Sequence, residues 1–157
     1  MAMVIEDGTG VADAESYVSI SEATAYAEKM GHSAWLTASV TDAQREAALR
    51  QATAYIDSRY RFRGRQSART QALEWPRDGF AWPQKRVKDA CCELAIRALS
   101  QPLYVDVDVE GLVTEETLGP LTTKYAAGDG QVKFTQVDDM LRPLLSGPTS
   151  TIRLNRA

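Results

Sequence analysis

The stretch TDAQREAALRQATAYIDSRYRFRGR, residues 41–65, decides the fold class. Thr41-Asp42-Ala43-Gln44 has the spacing of a capping box, in which Thr41 and Gln44 trade side-chain-to-backbone hydrogen bonds and open a helix. Behind it Ala48, Leu49, Ala52, Tyr55, Ile56 and Tyr60 recur at helical spacing and form one apolar face, so a long helix is expected to about Tyr60. Upstream, Ser19-Ile20-Ser21-Glu22 is a second capping box. Its helix carries Ala23, Tyr26 and Ala27 and stops at Gly31, a residue suited to the left-handed turn after a helix. Downstream, Pro83 suits the first position of a third helix running through Ser100, with Val87, Ala90, Cys91, Leu94 and Ala98 on its main face. Cys92, Ile96 and Leu99 make a second apolar face roughly opposite. A helix apolar on two sides is either central in a bundle or shared with a neighbouring subunit, which makes these three candidates for a subunit interface.

Between the second and third helices, Tyr60 to Pro83 contains Gly64, Gly79 and two Trp-Pro pairs, which disfavour helix at Trp75 and Trp82. A long ordered loop anchored by Leu73 and Trp75 is expected. Past Pro102, Leu112 to Thr117 and Leu121 to Tyr125 flank Leu118-Gly119-Pro120 and predict a short β-hairpin. Gln136 to Leu145 predicts a short amphipathic helix, weakened by Pro143. The first ~18 residues read as an irregular arm. Its Gly8-Thr9-Gly10 lacks the further glycine and Lys-Ser/Thr of a phosphate loop and is a turn. The expected fold is mainly α: a small bundle of three main helices plus a short C-terminal one, with a β-hairpin and extended terminal arms. One domain spans residues 1–145, and residues 146–157 form a flexible tail.

Composition agrees with a single domain: 157 residues and 17.3 kDa, 44% hydrophobic and 25% charged. No apolar run approaches the ~18 residues of a membrane span, so no membrane partner is expected. Met1 to Gly10 carries acids where a signal peptide would carry Lys or Arg, so secretion is not expected either. The net charge of −3 is unevenly placed. Residues 41–100 hold 12 Lys/Arg against 7 Asp/Glu, and the remainder holds 6 against 14, so a +5 middle sits in a −8 surround. That pattern permits association with copies of the chain or with a charged partner.

Catalysis finds little footing. His32 is the one histidine and follows Gly31, where it reads as a cap or surface residue. No nucleophile motif accompanies it, so catalytic residues are read as none. Cys91 and Cys92 are helix neighbours that point about 100° apart and read as reduced core thiols. Asp106-Val107-Asp108-Val109-Glu110-Gly111 imitates the start of a calcium loop, but position twelve is Thr117 in place of a bidentate Glu, so metal and cofactor are read as none. The sharpest feature is Arg59, Arg61, Arg63, Arg65 and Arg69: five arginines in eleven residues, no acid, with Tyr60 and Phe62 interleaved. Two readings stay open. The run contacts single-stranded nucleic acid through phosphates and stacked bases, or it makes ion pairs within or between subunits while the aromatics dock in the core. In an extended tail Ile152 and Leu154 fall on one side while Arg153 and Arg156 add charge, the pattern of a partner-binding segment.

The order of elements carries a resemblance. Asp7-Gly8-Thr9-Gly10 and Ala14-Glu15-Ser16-Tyr17-Val18-Ser19 come first, then Ala48-Leu49, Ala52-Thr53, Tyr55-Ile56-Asp57 and Tyr60-Arg61-Phe62-Arg63-Gly64. Gln71-Ala72-Leu73-Glu74-Trp75-Pro76-Arg77 and Val87 to Ala95 follow. Over roughly residues 4–145 the chain resembles head–tail connector (adaptor, or head-completion) proteins of tailed bacteriophages. Sequences of this kind are also labelled DnaT-like single-stranded DNA-binding. The most specific element is Q-x-L-x-W-P-R downstream of Y-x-F-R-G. The resemblance implies a non-catalytic virion protein at the head–tail interface, assembled in the host cytoplasm. Its partners would be copies of itself in a ring, usually of twelve, together with the portal protein and a tail-side connector or tail protein. Genomic DNA would pass through the centre. The alternative function is a single-stranded DNA-binding replication accessory protein. Two departures stand out: the third helix opens with Ala81-Trp82-Pro83-Gln84 where an aliphatic-Pro start is usual, and the chain past Leu145 exceeds the family core.

Overall fold

The structure is a computed structural model that describes residues 3–82, 84–104, 115–118, 121–124 and 132–147. It is mainly helical. In chain order come α1 (Ile20–Met30), the one-turn α2 (Ser33–Leu36), α3 (Asp42–Arg59), α4 (Lys85–Ala98), β1 (Glu115–Leu118), β2 (Leu121–Lys124) and α5 (Thr135–Leu141), which tightens into a 3-10 turn over Arg142–Leu144. Both capping boxes form. The Ser19 hydroxyl accepts from the Glu22 N–H while the Glu22 carboxylate accepts from the Ser19 N–H, and Thr41 and Gln44 do the same. Gly31 ends α1 at φ 75°. β1 and β2 pair antiparallel in the register Glu115 with Lys124 and Leu118 with Leu121.

α4 is the centre of the bundle. Every residue from Ala90 to Ile96 is buried, so no face of its middle meets solvent. α3 lies against it on one side and α1 and α5 on the others. Of the two readings of the second apolar face, a central helix or one shared with a subunit, burial of Cys92 and Ile96 by the chain itself fits the first, and Leu99 stays half-buried. The helix also starts at Lys85, not at Pro83, which lies outside the described residues, and Gln84 caps it without a side-chain bond. Both cysteines are free and buried, and burial pushes the Cys91 thiol up to about 11.

The terminal arm is folded onto the bundle. Its Gly8-Thr9-Gly10 turn wraps the carboxylate of Glu6, which is 1% exposed. Gly8 and Gly10 donate N–H groups to Oε1 at 2.8 and 3.0 Å, and Val11 donates to Oε2 at 2.9 Å. The turn is an anion nest filled from within the chain. Gly8 has φ 102°, and a Cβ there would sit 2.3 Å from Trp82 Cδ1, so glycine is required on two counts.

Asp57, near the end of α3, ties this arm to the long loop. It accepts from the Tyr17 hydroxyl and, at 3.2 Å, from the Glu74 N–H, while the Tyr17 oxygen accepts from the Trp75 N–H at 3.3 Å. Burial pushes the Asp57 carboxyl up to about 6, more than these donors pull it down. Between the unfolded value of ~3.9 and 6 the native state therefore holds the extra proton, and stability from this group falls as pH rises through that window. Carboxylates held low, such as Glu15 beside Arg50, have the opposite slope. The stability of Asp57→Asn relative to wild type should accordingly rise by roughly 2 kcal/mol between pH 4 and 7. Urea melts across that range check it, and parallel curves would refute it.

Candidate functional site

Past the C-terminus of α3 the chain is extended, and its side chains alternate. Tyr60 and Phe62 point inward and are 6% and 5% exposed, while Arg61, Arg63 and Arg65 are exposed, as is Arg69 further on. The Tyr60 hydroxyl donates to Asp138 Oδ1 at 2.6 Å. Both backbone edges of the segment are in use. The Arg63 N–H donates to the Leu144 carbonyl at 2.9 Å, the Ser146 N–H to the Arg61 carbonyl at 2.8 Å, and the Asp78 N–H to the Arg65 carbonyl at 2.9 Å. Gly64 turns the chain at φ 83°, with Asp78 O 3.0 Å from where its Cβ would be.

What fixes this segment is the motif Q-x-L-x-W-P-R. Arg77, 9% exposed, donates from Nη1 to the carbonyls of Phe62 at 3.2 Å and Gly64 at 2.7 Å, and from Nε to the Glu74 carbonyl at 3.0 Å. Its Nη2 pairs with the Glu74 carboxylate. Gln71 accepts from the Ala68 N–H at 2.9 Å and donates to the carbonyls of Leu73 and Pro76 at 2.7 and 3.1 Å. Trp75, joined to Pro76 by a cis peptide, packs edge-on against Phe62 at 5.4 Å and Phe80 at 5.3 Å. Sequence reasoning singled out the motif without assigning these roles. The signal available was a polar Gln and Arg in a segment with no regular structure to satisfy its backbone.

The result is a basic ridge. Elsewhere several basic side chains are matched: Arg45 with Asp42, Arg50 with Glu15 and Glu46, Lys85 with Asp89, Lys88 with Glu22 and Arg97 with Glu93. Among the described residues no acidic side chain forms an ion pair with Arg61, Arg63, Arg65 or Arg69, and the Arg63 guanidinium donates to the Pro143 carbonyl. Arg59 stands over the Tyr55 ring, 5.9 Å from its centroid. The structure thus groups Arg61, Arg63 and Arg65 and turns the intervening aromatics away from them.

The other expected site residues are placed apart. Leu99 lies with Ala98 beside Gln44 and Gln51 in a shallow depression of about 220 Å³. Cys92 lines the floor of a larger groove, about 480 Å³, between α1 and α4, with Val18, Ala25, Met30 and Met140. Ile152, Arg153, Leu154 and Arg156 lie outside the described residues, as does the calcium-loop imitation at 106–111. Among the described residues no cluster of His, Cys, Asp and Glu could hold a metal ion, and no helix is long and apolar enough to cross a membrane. His32, expected as a cap or surface residue, is half-buried and stands at the N-terminal cap of α2. Its Nε2 lies 3.1 Å from Oε1 of Glu93, which is 1% exposed. The Tyr26 hydroxyl donates to the same oxygen at 2.9 Å, and Arg97 pairs with Oε2 at 2.9 Å.

Fold and surface define a small helical bundle that presents a basic ridge. All of the chain, residues 1–157, matches the family described as "Putative DnaT-like ssDNA binding protein", and the chain belongs to that family. No curated protein and no solved structure matches it.

Removing Arg77 leaves three loop carbonyls without their donor and Glu74 without its partner. Arg77→Ala should cost roughly 2–4 kcal/mol in urea unfolding. Arg77→Lys should recover only part of that, because an ammonium cannot fork to several acceptors. A loss under about 0.5 kcal/mol for the alanine variant would refute the staple.

Proposed function

We propose that this protein is a head-to-tail adaptor of a tailed-phage particle. It works as one subunit of a ring, twelvefold as is usual in the proteins it resembles, beneath the portal and above a tail-side protein, with genomic DNA passing through the centre. One observation carries the reading: the ridge exposes arginines without acidic partners among the described residues, while Tyr60 and Phe62 between them are buried. A single-strand binder uses aromatic faces as stacking platforms, and here those faces are in the core. Exposed guanidinium groups on a chain whose remaining residues sum to −8 suit a protein surface of opposite sign, such as a neighbouring subunit or the portal. A subunit whose basic and acidic segments lie in different parts of the chain can meet its copies heterologously, and such contacts make rings where the rotation closes.

The second reading, a single-stranded DNA-binding replication accessory, is favoured by the family's description. The triple variant Arg61→Ala, Arg63→Ala, Arg65→Ala separates the two. On the adaptor reading its melting temperature stays within about 2 °C of wild type, because exposed side chains contribute little to folding. Electron micrographs of the variant mixed with portal should then lack the ring that wild type forms. If the variant assembles normally and loses only salt-dependent affinity for a dT oligonucleotide, the replication reading replaces the adaptor.

A further inference from the structure

The groove of about 480 Å³ between α1 and α4 has an apolar floor and a basic rim. Val18 and Cys92, both buried, form the floor, and Ala25, Met30 and Met140 line the sides, with Met30 50% exposed at the lip. Its volume is in the range of pockets that take a small ligand or several side chains. Two of the chain's four methionines are here, and the unbranched thioether adapts to the apolar shape it meets. Both walls are α-helices, whose backbone groups are bonded within the helices and offer no edge. An extended segment laid on this floor would leave its own backbone unpaired, whereas a helix arrives with its backbone satisfied.

The rim carries a surplus of cations. Glu22 and Asp89 are each taken by a lysine, Lys88 and Lys85. Lys29, in the last turn of α1, and Arg86, in the first turn of α4, form no ion pair among the described residues. The Arg86 guanidinium reaches toward the groove, donating to the Met140 carbonyl at 3.4 Å. The two helices run the same way, since Glu22 meets Lys88 and Tyr26 meets Glu93, so Lys29 and Arg86 stand at opposite ends of the groove.

We infer that this groove docks an amphipathic α-helix of a partner protein, with its apolar stripe on Val18, Cys92 and the two methionines and its acidic side chains against Lys29 and Arg86. None of the ridge arginines lines the groove, and the inference does not depend on the adaptor reading. Charge selects the partner, because a helix with basic flanks would meet two uncompensated cations. Exposed ion pairs are weak singly, so affinity comes from apolar burial while the cations set orientation and selectivity.

The probe is a synthetic helical peptide about four turns long, with leucines along one face and glutamates at both ends. Added to the full chain bearing 13C-methyl methionine, it should shift the Met30 and Met140 methyl resonances and leave that of Met3, which does not line the groove, in place. Lys29→Glu with Arg86→Glu should weaken binding by roughly tenfold. Ala25→Trp, which fills the groove from an exposed position on α1, should do the same. On the wild-type chain, the same peptide with lysines for glutamates should bind roughly tenfold more weakly, a comparison that needs no variant to fold. Unmoved Met30 and Met140 methyls at about 1 mM peptide overturn the inference, as does equal binding of the two peptides. Binding abolished by Arg61→Ala, Arg63→Ala and Arg65→Ala together overturns it by placing the peptide on the ridge. Nuclear Overhauser contacts from Met30 or Met140 to Ile152 or Leu154 in the free chain overturn it in favour of the chain's own tail. Broadening of the same two methyls with rising protein concentration overturns it in favour of a second copy.

Discussion

The guanidinium of Arg77 holds together the part of the molecule that has no regular structure of its own. Residues 60–82 form neither helix nor sheet, yet they carry Phe62, Leu73 and Trp75 into the core. A backbone that enters the core must satisfy its polar groups there, and side chains do this work where a ladder is missing. Arg77 serves three carbonyls and one carboxylate from a single planar fork, and Gln71 closes the adjoining turn from the other side. With Phe62 O and Gly64 O fixed, the alternation of the segment is fixed too. Tyr60 and Phe62 face inward and the arginines are left outside.

The same principle recurs at two buried carboxylates. Glu6 is wrapped by three N–H groups of a glycine turn, and Glu93 receives Tyr26, His32 and Arg97. Burying an ion costs several kcal/mol unless each oxygen finds donors, so each such group specifies its surroundings more than it stabilises them. Glu93 joins α1, the turn before α2, and α4. Arg97 extends the link to α5 by bonding Gln136 at 2.7 Å and standing over Phe134 at 5.8 Å. Rotating α4 by one residue would carry Glu93 away from Tyr26 and His32, which fixes the helix's orientation within an otherwise apolar surround.

What was legible in the sequence was local. The capping boxes at Ser19 and Thr41 and the stop at Gly31 are set by residues within four positions of one another, and each forms where the pattern puts it, while the hairpin forms with Leu118, read as part of the turn, paired to Leu121 in the strands. The loop anchors Leu73 and Trp75 were also readable, since large apolar groups have nowhere else to go. Contacts across 61 residues, as between His32 and Glu93, or 40, as between Tyr17 and Asp57, leave no periodic trace. The second apolar face of α4 shows the limit most clearly. Cys92 and Ile96 call for a cover, and periodicity does not say whether a neighbouring subunit or the chain's own α1 and α5 provides it. The arginine run posed the same ambiguity, because alternation tells which side chains share a face without telling which face is in.

That last distinction bears on what the ridge can recognise. Guanidinium groups bind carboxylate and phosphate through the same fork, so the arginines alone do not separate an acidic protein from a nucleic acid. The aromatic between them is closed to stacking. The Phe62 ring has Arg77 over it at 5.8 Å and Trp75 edge-on at 5.4 Å. A base stacking there would have to displace the guanidinium that holds the Phe62 and Gly64 carbonyls, and so would undo the ridge it was binding. A carboxylate approaching from solvent meets no such conflict. The exposed arginines can be engaged with the staple intact, and the bundle beneath them need not change to make the contact.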